Sequence, residues 1–122
     1  MRPPALPLFP RIDAEAQGAS PSLQDALRCG DQALDYPSLA TACALFRQAL
    51  AEFMIHRQDR IAVWAHPDLN SILALVGAVT SGVTTVPLNP GLGDKELAHI
   101  LSDAKPRVIF SAHPERDAAR TP

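Results

Sequence analysis

Thr80-Ser81-Gly82-Val83-Thr84-Thr85 has the residue types of a phosphate-cradling loop, with hydroxyls and a glycine that lets backbone N–H groups approach an anion. That chemistry also needs a cation, and no lysine follows until Lys95. An apolar helical pattern runs straight into the segment. Gly82 therefore reads as a helix stop in the left-handed conformation, and Val83 to Thr85 as the start of a strand. His66 stands just past an apolar run, where open α/β sheets place their ligands. It could touch a substrate; the simpler reading has it shape a strand-to-helix turn with Asp68. His56, His99 and His113 are scattered, with no pair at metal-ligand spacing. Asp94, Glu96 and Asp103 lie near helix ends, and helix electrostatics accounts for Asp94 and Glu96 without catalysis. Asn89 reads as a turn-former whose side chain bonds local backbone. Trp64, the sole tryptophan, falls within a strand and reads as core. No residue is nominated as catalytic, cofactor-binding or metal-binding.

The elements that would position these groups follow from periodicity. Residues 26–35 read as a hairpin around a Gly30-Asp31 turn, with 23–27 as a short helical lead-in. Asp35 caps a helix with Pro37 in its first turn. The helix is expected over about 36–55. Leu39, Cys43, Phe46, Leu50 and Phe53 recur at spacings of four, three, four and three, a single buried stripe, with Arg47, Gln48 and Glu52 off it. Residues 60–65 form a nearly continuous apolar run, as suits a strand covered on both faces. A helix over about 68–80, a strand over 83–88, a helix opening at 93–96 and a strand over 107–111 follow. Asp94 lies near the positive end of the later helix, and Glu96 is placed to fold back on it. The order predicts an α/β fold: a partial doubly wound parallel sheet, β-α-β-α-β, preceded by a short hairpin and a long helix.

At 122 residues the chain is about one domain in size, and 47% apolar residues are ample for a core. Net charge is −2, from 11 basic and 13 acidic residues, with no basic stripe for nucleic acid. Cys29 and Cys43 show no metal spacing, and nothing supports a disulfide between them; a reduced, cytoplasmic protein is expected. Four prolines among the first ten residues break any signal-peptide core, and no apolar stretch is long enough to span a membrane. Residues 1–21 read as a Pro-rich arm with Leu6, Leu8 and Phe9 as docking points. Residues 113–122 lack periodicity and are expected to be a disordered tail.

The run Ile61-Ala62-Val63-Trp64-Ala65-His66-Pro67-Asp68-Leu69-Asn70, then Gly82, then Val86-Pro87-Leu88-Asn89-Pro90 and Glu96-Leu97, resembles the N-terminal end of the adenylate-forming (AMP-binding) enzymes, which include acyl-CoA synthetases. Leu34-Asp35-Tyr36-Pro37-Ser38-Leu39 is similar to a helix start of that family, with Asp35 where a threonine cap is usual. The similarity covers residues 22–112. Gly93-Asp94-Lys95-Glu96-Leu97-Ala98-His99-Ile100-Leu101-Ser102-Asp103 most resembles bacterial malonyl-CoA synthetases. The resemblance implies a two-step reaction: a carboxylate attacks the α-phosphate of ATP with Mg²⁺ assistance, giving an acyl-adenylate and pyrophosphate, and the thiol of CoA then displaces AMP. It also implies an N-terminal portion of a ligase of fatty acid metabolism, with the remainder of the polypeptide as partner and a small carboxylate as substrate. The family's Pro-Lys-Gly loop and C-terminal lysine have no counterparts here, so the chain alone is expected to bind none of ATP, Mg²⁺ or CoA and to be catalytically incompetent. A non-catalytic module docking onto a separately encoded remainder is one alternative. A small free-standing nucleotide binder is another, disfavoured because no glycine-rich loop follows Val63-Trp64-Ala65.

Overall fold

The computed structural model describes residues 24–121. The Pro-rich arm, its proposed docking points Leu6, Leu8 and Phe9, and Leu23 lie outside them. The chain enters as a hairpin of β1 (Asp25–Cys29) and β2 (Gln32–Asp35), paired antiparallel with Cys29 opposite Gln32. Gly30 turns it at φ +60, a conformation that costs glycine little. Residues 25–27 thus belong to the first arm, not to the helical lead-in read from sequence, because their backbone groups pair with β2.

The first helix, α1 (Tyr36–Glu52), begins where Asp35 accepts the Ser38 N–H at 2.9 Å, with Pro37 in the first turn. It ends three residues short of the expected Ile55. Phe53 is its C-cap and Met54 takes φ +56, which turns the chain away. Phe53 therefore leaves the apolar stripe and is 59% exposed, whereas Leu39, Cys43 and Leu50 are buried.

Strand β3 (Arg60–Trp64) leads to α2 (Leu69–Thr80), β4 (Thr84–Leu88), α3 (Asp94–Ala104), β5 (Val108–Phe110) and a short α4 (Pro114–Ala118). The three strands are parallel and ordered β4-β3-β5, with Ile61 opposite both Thr85 and Val108. The sheet of the expected fold is therefore present. The chain steps from β3 to one side and then crosses back to the other. Crossovers of one hand in opposite directions put α2 and α3 on opposite faces. Two clusters of apolar residues reflect this. Ile61 packs with Leu50, Ile55, Ala78 and Val83, and Ala62 and Trp64 pack with Leu88 and Leu97. Covered on both sides, Ile61, Ala62, Val63 and Trp64 are each at most 1% exposed. Each such large side chain contributes roughly 1.5–3 kcal/mol of burial. A third cluster, Leu39 and Cys43 with Leu27, Leu34 and Val76, seats the hairpin on α1 and α2.

Residues 113–121 correct the expected disordered tail. A five-residue helix carries no apolar period to read, and this one is held by polar bonds from its buried Asp117.

Candidate functional site

The order β4-β3-β5 places a topological switch point between the carboxyl ends of β3 and β5, the crevice where open α/β sheets hold ligands. Two joints meet there. After β3 come Ala65-His66-Pro67-Asp68, and after β5 come Ser111-Ala112-His113-Pro114 leading to Asp117. Asp68 caps α2 by accepting the Ser71 N–H at 2.8 Å.

The joints exchange partners. Nε2 of His66 lies 2.9 Å from both carboxylate oxygens of Asp117, and Nε2 of His113 lies 2.6 Å from Oδ2 of Asp68. A carboxylate only accepts, so Nε2 carries the proton on both rings. The first pair is buried, with side chains 7% and 4% exposed; the second is 39% and 30% exposed. The rings meet edge to face at 4.8 Å. The Ser111 hydroxyl donates to Asp117 and its oxygen accepts the His113 N–H at 2.8 Å. Burial raises the Asp68 pKa, but hydrogen bonds from His113 and from Ser71 outweigh it and hold the group down to about 2.

The sequence reading paired His66 with Asp68. The structure gives each a different partner, from the segment taken for a tail. One signal was present: the tripeptide Ala-His-Pro occurs after both β3 and β5, each time followed by an aspartate within one helical turn of the proline.

A second polar anchor lies beside the first. Arg120 sits over the Trp64 ring at 5.3 Å, donates to the Pro90 carbonyl at 2.7 Å and to that of Leu92, and reaches Asp94 at 3.4 Å. It ties the end of the chain to the β4–α3 loop. In that loop Asn89 accepts the Gly91 N–H at 2.9 Å, the turn role read from sequence. Helix α3 is capped by Gly93 without a side-chain bond, so Glu96 does not fold back as expected. His99 is exposed. Outside β5 is a cavity of about 570 Å³ lined by Phe53, Trp64, Phe110, Ser111, Asp117 and Thr121.

This arrangement is poor catalytic machinery. Ser111 donates its O–H hydrogen bond directly to a carboxylate, so no imidazole is placed to activate it. The guanidinium of Arg120 is committed to carbonyls and is not available to a phosphate. Thr80 and Ser81 bond back to the Val76 and Gly77 carbonyls at the opposite, amino end of the sheet, and Gly82 has φ +80. The described residues do not fit an ATP–Mg²⁺ site. Among them no three His, Cys, Asp or Glu side chains group to hold a metal, and no helix is long and apolar enough to cross a membrane. No disulfide joins Cys29 and Cys43, and the thiol of Cys29 faces the Pro67 carbonyl at 3.4 Å.

Comparison with known proteins gives these features a context. The profile of the family described as "AMP-binding enzyme" matches residues 14–122. A 4-hydroxybenzoate–CoA/benzoate–CoA ligase of Rhodopseudomonas palustris is 27% identical over 108 residues, 88% of this chain and 19% of the ligase. An NRPS-like tryptophan epimerase, fscC, of Fusarium equiseti is 24% identical over 107 residues, 88% of this chain and 7% of that protein. Among solved structures, a malonyl-CoA ligase in a product complex with methylmalonyl-CoA and AMP is 41% identical, with TM-score 0.70, over 84% of this chain and 20% of that one. VinN with 3-methylaspartate is 29% identical, with TM-score 0.77, over 93% and 31%. The chain thus spans under a third of each of these relatives.

Proposed function

We propose that this chain, which belongs to the AMP-binding enzyme family, is the N-terminal portion of a cytoplasmic ATP-dependent acid–CoA ligase that takes malonate. The observation that carries the reading is the 41% identity to a malonyl-CoA ligase across 84% of the chain. In this reading ATP, Mg²⁺ and CoA are bound by the rest of the enzyme, and residues 22–112 supply the first slab of its sheet. The chain's own residues contribute no catalytic, cofactor or metal group, in keeping with the committed Arg120 and Asp117. Residues 22–112 are in this reading the N-terminal portion of the ligase domain, with α4 seated on it, and the remainder of the ligase is its partner. Among the described residues β5 has a neighbour on one side only, and Phe53 and Met54 stand 59% and 66% exposed. An unpaired edge next to exposed apolar side chains suits a partner surface. The same features support the second reading, a non-catalytic module completed by a separately encoded chain.

The test is pyrophosphate release from ATP with malonate, Mg²⁺ and CoA. The 122-residue chain alone should give none. Mixing with a polypeptide that supplies the remainder of a malonyl-CoA ligase should restore release, with malonate favoured over benzoate. Turnover by the chain alone at a normal ligase rate, or a preference for benzoate, overturns the proposal.

A further inference from the structure

We propose that α4 is a pH-gated latch over the switch-point crevice, held shut by the crossed pairs His66–Asp117 and Asp68–His113 and released as the two imidazoles lose their charge. The inference concerns this chain's own conformation and does not depend on the ligase reading.

The geometry makes the two pairs act together. Each joint gives one imidazole and one carboxylate to the other, so α4 cannot lift without breaking both. With both rings protonated the four groups sum to zero charge. With both neutral they sum to −2, and one of those charges sits on Asp117, 3% exposed. A buried carboxylate without a countercharge is costly. Its remaining bonds from Ser111 and from a neutral His66 soften that cost without cancelling it. Asp68 needs its imidazole less, because the Ser71 N–H and the positive end of α2 also hold it. The buried pair therefore dominates the gate.

Other charges around the cluster do not replace the imidazoles. Arg120 bonds the Pro90 and Leu92 carbonyls and reaches Asp94 of α3. Glu115 and Arg116 of α4 are exposed. From β1, Cys29 faces the Pro67 carbonyl, next to His66 but not on it. From β3, Trp64 brings a ring stacked 6.2 Å from that of His66 and no charge. The opposing term is repulsion between two imidazolium rings at 4.8 Å, which the edge-on arrangement limits by turning each protonated Nε2 toward its own carboxylate.

Hydrogen exchange of the whole 122-residue chain, corrected for intrinsic rates, reads the latch through amides of residues 114–121, with amides of α3 as reference. Protection at 114–121 should fall about tenfold between about pH 5.5 and about pH 8, while α3 holds constant. Asp117→Asn with Asp68→Asn should leave the segment open and indifferent to pH. Should that double variant not fold, the wild-type profile decides alone. Equal protection at both pH values, protection that rises with pH, or an unchanged pH dependence in a folded double variant overturns the proposal.

Discussion

His66 donates one N–H to both oxygens of Asp117, 51 positions further along the chain, at 2.9 Å to each. This bond joins the end of the central strand to the last helix and buries both partners. Replacing Asp117 by alanine strands the His66 Nε2–H and the Ser111 hydroxyl. Chemical denaturation at neutral pH should show a loss of about 2–4 kcal/mol. Asp117→Asn, which keeps an acceptor for His66, should lose less. Equal stability of Asp117→Ala and wild type would remove the pair as a structural tie.

Asp68 predicts an acid transition. Its folded pKa of about 2 lies below its ordinary 3.8, so its contribution is complete above 3.8 and is lost as pH falls through about 2. With the side chain 30% exposed, screening reduces that contribution to roughly 1–2 kcal/mol. Urea midpoints measured from about pH 5 down to about pH 2 should fall more steeply for wild type than for Asp68→Asn. Parallel slopes would contradict the assignment.

Gly77 is needed for close approach rather than for flexibility. A Cβ there would meet Cγ of Phe46 at 2.9 Å, and Phe46 is itself packed on Phe110 at 4.8 Å between ring centres. Gly77→Ala gains about 1 kcal/mol of helix propensity but forces α1 and α2 apart, for a net loss of roughly 1–2 kcal/mol. Pairing it with Phe46→Leu should recover part of the loss beyond additivity. A stabilised single variant would refute the contact.

Arg120 predicts an optical signal. Arg120→Leu removes the cation from the Trp64 face and the donors from the Pro90 and Leu92 carbonyls. Emission from this sole tryptophan should change in the native state, and stability should fall by about 1–2 kcal/mol. Unaltered native emission would show that the guanidinium does not rest on the ring.

The sheet was legible because β3 is covered on both faces, which leaves a nearly unbroken apolar run at Ile61–Trp64, and because α2 opens on the Asp68 cap and stops before Gly82 while Pro106 follows the end of α3. The hairpin was legible from Gly30. Phe53 was misplaced because periodicity reports a face and not where the helix ends; the turn at Met54 with φ +56 decides that. The site was hardly legible. Hydrogen bonds between His66 and Asp117, or Asp68 and His113, depend on which strand lies next to β3, and spacing along the chain says nothing of it. The repeated Ala-His-Pro was the available sign, and it becomes meaningful only once β3 and β5 are known to be neighbours.

The innermost strand of the sheet is also the first of its three to be synthesised. As the polypeptide leaves the ribosome, β3 gains one flank from β4 and must wait for β5 to gain the other. Until Phe110 has emerged, one side of the most apolar segment stays bare, so nascent chains stalled before that point should be the ones that chaperones hold.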